Sequence, residues 1–402
     1  MNTQTLSFSQ MVKASPAEVY RAFTNATALR EWLCEVATVV PRAGGRMYLW
    51  WHSGYYTSGE FTAAKPQEMI AFTWHGRGEP APSRVQVNFT AKDGGTQVAI
   101  EHMDIGTGEE WAQGKSEIER GWKRGLENLA SVMETGEDLR FVLRPMLGIF
   151  FGEYNADKAK ELGVPVTKGI RLEGVVDGMG AHAAKMQKDD VMVSLAGVPT
   201  PDYFSLENAL QRHRGGDKIE VIFYRGAEKM TQTMQLSKRP IPEIPAAAKD
   251  LADAMRKRFA EQDTDLDKFF AGVSEEEATF KPGPDEWSVN ENLAHLIQGE
   301  RGTQSFIAEL ISGQERYADD YGDNVNAYVE ATVATYPSLK ALLQELKRSE
   351  AETIELIARM PAEFVARKGS YWRTAFFLLD SPFHFHEHVA QMTAALEAAR
   401  KK

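Results

Sequence analysis

The chain has 402 residues, a formal net charge of −11 and a pI near 5.5, with 43% hydrophobic and 26% charged residues. That length exceeds one ordinary core and predicts two to three domains of a soluble globular protein, and the acidic balance, unbroken by any basic block, argues against nucleic acid or an anionic membrane as a partner. The single cysteine, Cys34, excludes an intrachain disulfide and fits a cytoplasmic setting; neither a signal peptide nor a membrane span is expected.

Residues 1–138 read as a sheet closed by a helix. Leu6–Val12 alternates as a half-buried strand does, and Ser15-Pro-Ala-Glu18 is a capping box with Pro16 at the first helical position. Strand patterns follow at 46–51, 54–63, 69–74, 83–91 and 97–103, with Gly94-Gly95 as a hairpin signal. A helical pattern from Lys115 to Met133 places Ile118, Trp122, Leu126, Leu129 and Met133 on one face. The segment resembles the START-like (SRPBCC) helix-grip fold, in the branch of the heat-shock ATPase activator homologues. The likeness rests on Ser15–Phe23, Trp32, Pro41-Arg-Ala-Gly-Gly45, Gly59-Glu-Phe61 and the Gly121-Trp122 helix. It implies a cavity for an apolar small molecule or a client protein, with Trp50, Tyr56, Phe72, Trp74 and Trp122 as candidate lining. The same aromatics also serve as ordinary core. His52, His75 and His102 fall on or beside different strands, and none of the three is expected to be a ligand.

Residues 139–240 read as a small β-rich module. Strand patterns at 169–176, 191–195, 218–224 and 231–236 are separated by glycine turns, and a helix is expected over Ser205–His213. The segment resembles a PDZ domain. The resemblance implies a peptide-binding loop at Met146, Leu147, Gly148 and Ile149, where backbone N–H groups receive a peptide C-terminus that adds as a strand. Asp189-Asp190 departs from the family's Gly-Asp; aspartate tolerates left-handed backbone, so the fold is expected to persist.

After the proline-punctuated linker Arg239–Pro245, residues 241–402 turn helical, with helices expected at 247–272, 288–312, 338–360 and 381–399. Ser288 and Glu291 form a capping box for the second. Three of the nine histidines lie in Asp380–Gln391, where Pro382 is expected to open the last helix. His384 and His388 are then one turn apart on one face, with Gln391 on the same stripe and His386 pointing elsewhere. A catalytic metal site needs a third ligand, for which His295 is the candidate. The segment resembles the DinB / YfiT-like metal-binding bundles, on Trp287-Ser288 through His295 and on His384-x-x-x-His388-x-x-Gln391. The resemblance implies a divalent metal, zinc or nickel, on His295, His384 and His388. Gln391 is expected to orient a ligand or a water, and Glu387 is a conceivable base near the mouth. Buried, hydrogen-bonded core histidines are the alternative.

The expected fold class is multidomain α+β: helix-grip domain, small β-rich module and all-α four-helix bundle. Two functions stand side by side. One is a metal-dependent transferase, isomerase or hydrolase that activates a water or thiolate; the other is a stress-related adaptor or ligand-binding protein with a structural metal.

Overall fold

The computed structural model describes residues 2–316 and 326–402. The chain divides into two compact units, Met1–Glu137 with Pro242–Lys402, and Asp138–Ile241.

In the first unit β1 (Thr3–Val12) leads to α1 (Pro16–Thr24) and α2 (Ala26–Trp32). Ser15 caps α1 reciprocally with Glu18, and the Asn25 side chain accepts from the Ala28 N–H to start α2. Six strands follow: β2 (Val36–Val39), β3 (Arg46–Trp50), β4 (Tyr56–Lys65), β5 (Met69–Gly76), β6 (Ser83–Lys92) and β7 (Gly95–Gly106). They pair antiparallel in the order β1-β7-β6-β5-β4-β3-β2. The β6–β7 turn is Asp93-Gly94, one residue earlier than the sequence suggests. Both have positive φ (48° and 77°), as a type I′ hairpin requires.

Alternate residues Met47, Leu49, Phe61, Ile70, Phe72, Val87 and Ile100 pack into one core with Ile118, Trp122, Leu126 and Leu129 of α3 (Ala112–Glu134). This corrects part of the expected cavity lining. Phe72, Trp74 and Trp122 are buried in that core, but Trp50 and Tyr56 are register partners on the opposite face. The two-residue period that turns Met47 and Leu49 inward turns Tyr48 and Trp50 outward, and Tyr56 is 41% exposed. His102, fully buried, is tied up in the core. The Trp122 indole N–H donates to its Nδ1 (3.1 Å), and its Nε2 meets the Ser83 hydroxyl (2.7 Å). Burial lowers its pKa to about 4.

The second unit runs through α4 (Leu139–Val142), β8 (Pro145–Met146), β9 (Ile149–Gly152), α5 (Ala156–Leu162), β10 (Ile170–Val175), α6 (Gly180–Ala183), β11 (Val191–Leu195), β12 (Val198–Pro199), α7 (Tyr203–Leu210), β13 (Lys218–Arg225), β14 (Glu228–Gln235) and β15 (Ser237–Lys238). Its main sheet has the order β14-β13-β11-β10-β9, with β12 on β11, while β8 pairs with β15. The helix expected at 205–213 begins earlier, at Tyr203, because Asp202 caps it. Asp189 does take left-handed backbone (φ 67°). Asp190 is fully buried and receives a two-pronged hydrogen bond from Arg225 (2.8 Å each).

The helical part of the first unit comprises α8 (Ala248–Phe269), α9 (Glu275–Thr279), α10 (Val289–Ser312), α11 (Asn326–Thr335), α12 (Leu339–Ala358), α13 (Ala362–Ala366), α14 (Lys368–Asp380) and α15 (His384–Arg400). The connection expected between the second and third long helices partly lies, at 317–325, outside the described residues. Two sequence expectations change here. The stretch 368–380 is a helix in its own right, and Pro382 does not open the last helix. It sits between α14, whose C-cap is Ser381, and α15, whose N-cap is Phe383. Proline disfavours helical backbone at the residue before it, so Ser381 is extended and α14 stops.

The helices of this unit pack on its sheet-bearing part. Glu315, its side chain 2% exposed, accepts two hydrogen bonds from Arg373 (2.7 and 2.8 Å) and pairs with Arg30 of α2 at 3.0 Å. The Glu315 N–H donates to Thr27, and the Asn25 side chain donates to the Gly313 carbonyl. Buried Glu31 accepts from Ser370 (2.6 Å).

Candidate metal centre

Each histidine is aimed by local structure. Ser288 and Glu291 close the start of α10 reciprocally, and its first turns are buried from Val289 to Ile297 apart from half-buried Glu291. His295 lies among them, 4% exposed, with the Trp287 ring 5.1 Å from its own. His384 is the first residue of α15. The corner that places it is held by Arg258 of α8, which donates to the carbonyls of Leu379 (2.8 Å) and Ser381 (2.6 Å) and lies over the Phe383 ring. Those carbonyls belong to the end of α14, where helical partners run out, so the guanidinium serves as a cap. Nothing in the sequence pattern singles out Arg258, because its partners lie more than 120 residues away.

The three imidazoles converge. Nε2 of His384 lies 3.1 Å from Nε2 of His295 and 3.1 Å from Nε2 of His388. The ring centroids are 4.7, 4.8 and 4.8 Å apart, each pair inclined by 70–72°, so the rings surround one point. Among the described residues, these three form the histidine, cysteine and carboxylate group able to hold an ion. His386 is outside it; its Nε2 meets Asp265 at 3.0 Å, as two residues of helical rotation require. Glu387 is exposed and also outside the group. Gln391 Oε1 lies 3.1 Å from His388 Nδ1.

The donor set fits a divalent cation. Three nitrogens at about 2.0–2.1 Å from a tetrahedral zinc lie roughly 3.3 Å from one another, close to the observed spacing. The amide oxygen of Gln391 can only accept, so Nδ1 of His388 carries the proton and its Nε2 presents a lone pair inward. Such a cluster needs a proton or a cation between the rings. Burial, reinforced by His295 and His388, lowers the pKa of His384 to about 4, so the ring is neutral near pH 7, the form that binds metal.

Beside His384 opens a cleft of about 1280 Å³, whose lining includes Glu387, Arg258, Phe383, Glu300 and Glu350. Glu300 accepts from the Thr353 hydroxyl, and burial raises its pKa. Glu350 accepts from Gln262 (2.5 Å). Burial, then Asp263 and Glu300, push its pKa up to about 8. Sequence periodicity does not mark this pair, since charged residues on a helix ordinarily face water.

With this geometry established, likeness to known proteins divides the chain in two. Residues 13–134 match the family described as Activator of Hsp90 ATPase homolog 1-like protein. Residues 258–393 match the DinB superfamily. Neither match enters the second unit. Similar solved structures include CalU16 from Micromonospora echinospora (24% identity, 33% of this chain and 77% of that one, TM-score 0.28). Others are the Aha1 dimer from Colwellia psychrerythraea (16%, 33% and 96%, 0.29) and PFC0360w, an HSP90 activator from Plasmodium falciparum (25%, 32% and 94%, 0.28). No curated protein matches the chain. No helix among the described residues is long and apolar enough to cross a membrane.

Proposed function

We propose that this is a cytoplasmic three-domain protein whose DinB-like domain binds one divalent cation, zinc or nickel, through His295, His384 and His388. The observation that carries this reading is the meeting of three Nε2 atoms at one point. Three protein ligands leave a fourth position, where a bound cation supplies Lewis acidity for transfer, isomerisation or hydrolysis of a small molecule. Around it the protein's own groups have separate tasks. Gln391 fixes the tautomer of His388, and Arg258 holds the corner bearing His384. Glu350, on the cleft wall, can hold or release a proton near neutral pH, and burial raises the pKa of Glu300 beside it. The Hsp90-activator-like domain would supply a surface for an apolar ligand or a client protein. Metal analysis of the purified protein tests the reading: one equivalent is expected in the wild type and little in His388→Ala. Equal metal content in both, or none in the wild type, removes it.

A second reading, a non-enzymatic adaptor with a structural metal, is favoured by the second unit. β9 is an edge strand, and beside it the rings of Phe151 and Tyr203, 51% and 56% exposed, meet edge to face at 5.1 Å. At the head of β9, Gly148 is left-handed (φ 75°), and the carbonyls of Leu147 and Gly148 are taken by Ala181 and Val176 N–H groups. Leu147 is buried, Ile149 half-buried and Met146 exposed. This arrangement supports a PDZ-like groove that accepts a peptide C-terminus along β9 and α7. Titration with C-terminal peptides, repeated on Phe151→Ala, decides it. Failure of every peptide to bind above background removes the role.

A further inference from the structure

We infer that Gly299 is a positioning residue of the three-histidine centre: the missing side chain is the slot that admits the His384 ring. The inference rests on the metal-binding reading above and concerns a residue one turn beyond His295 on α10, on the same face. A Cβ built on Gly299 would stand 2.8 Å from Nδ1 and 3.0 Å from Cε1 of His384. Unstrained carbon–nitrogen contacts are not that short, so any side chain at 299 must move the ring. Cε1 is bonded to Nε2, the atom aimed at His295 and His388, and displacing that edge carries Nε2 off the shared point.

The same helix supplies its own control. Gly302 also interrupts α10, yet a Cβ there meets nothing within 4 Å. Glycine in a helix interior is unfavourable relative to alanine, so both positions carry that disadvantage. At 299 the offsetting gain is visible in the ring it admits. The colliding atoms are the far end of one side chain rather than backbone, so the helix can accept alanine and the imidazole gives way. Gly299→Ala therefore acts on the metal and leaves the fold.

The test compares wild type, Gly299→Ala and Gly302→Ala in the full chain. Zn²⁺ and Ni²⁺ binding is followed by calorimetry, ligand geometry by the visible spectrum of added Co²⁺, and folding by metal-free melting. Gly302→Ala should bind as the wild type does and melt no lower. Gly299→Ala should bind about 10- to 100-fold more weakly, as changes that misorient a ligand do, with an altered Co²⁺ spectrum. Wild-type affinity and spectrum in Gly299→Ala overturn the inference and leave the metal site standing. No binding by the wild type removes the metal reading and the inference with it. If Gly299→Ala folds poorly, the same change is made in His384→Ala, where the ring is gone. Recovery of folding there supports the contact, and an equal loss in both backgrounds overturns it.

Discussion

His388 and Gln391 form a pair on one helical stripe: Nδ1 of the histidine lies 3.1 Å from Oε1 of the glutamine, which fixes the side from which His388 can bind. Gln391→Leu removes the acceptor, frees the imidazole to exchange tautomers and should weaken Zn²⁺ binding about 10- to 100-fold. Gln391→Glu keeps an acceptor and should bind at least as tightly as the wild type. Equal affinity for all three proteins, measured against a competing chelator, would show that the contact does not orient a ligand.

The three histidines also link metal to stability. A cation that binds the folded form stabilises it by about 2.7 kcal/mol at a hundredfold excess over its dissociation constant. Added Zn²⁺ should therefore raise the melting temperature of the wild type, and a chelator should reverse the rise. His295→Ala should abolish the response. Because the ring is 4% exposed, its removal should also lower the metal-free melting temperature. A Zn²⁺ response that survives in His295→Ala places the metal elsewhere.

Much of this was legible in the sequence, for identifiable reasons. The i, i+4 spacing of His384 and His388 is local geometry, and it holds although the helix begins two residues later than Pro382 suggests. The capping boxes at Ser15 and Ser288 are likewise local, and both form. Failures occur where the outcome depends on which face is covered. Trp50 and Tyr56 are aromatic on a sheet with a buried side, but strand parity puts them on the other. Gly299, Arg258 and Glu350 act through partners that are distant in sequence, so no window of residues reveals them. The packing of the helical segment against α2 is also non-local.

That packing centres on Glu315. Its carboxylate, 2% exposed, faces Arg373 at 2.7 and 2.8 Å and Arg30 at 3.0 Å. Glu315→Ala leaves two largely buried guanidiniums facing each other and should destabilise the first unit by about 3–5 kcal/mol. Urea denaturation should show a lower midpoint. It should also show separation of the transitions of the sheet-bearing and helical parts, followed by tryptophan fluorescence and by far-UV circular dichroism. A change under about 1 kcal/mol would class the cluster with surface ion pairs of little worth.

Glu350 gives a prediction whose sign follows from burial. Its pKa is pushed up to about 8, first by desolvation and then by Asp263 and Glu300, against the opposing Gln262 hydrogen bond and the Lys347 charge. In the unfolded chain a glutamate titrates near 4.3. Between these values the folded form holds a proton that the unfolded form has lost, so stability falls as pH rises from about 4.3 to about 8, then levels off. Glu350→Gln keeps the shape and the hydrogen-bonding capacity without the ionisation. The stability difference, variant minus wild type, should be smallest near pH 5 and should grow in favour of the variant up to pH 8. One unit of pKa shift corresponds to about 1.4 kcal/mol, so even part of the expected trend is measurable by denaturant titration at each pH. A difference independent of pH across that range would mean that Glu350 ionises freely, and that the cleft wall beside His384 offers no proton near neutrality.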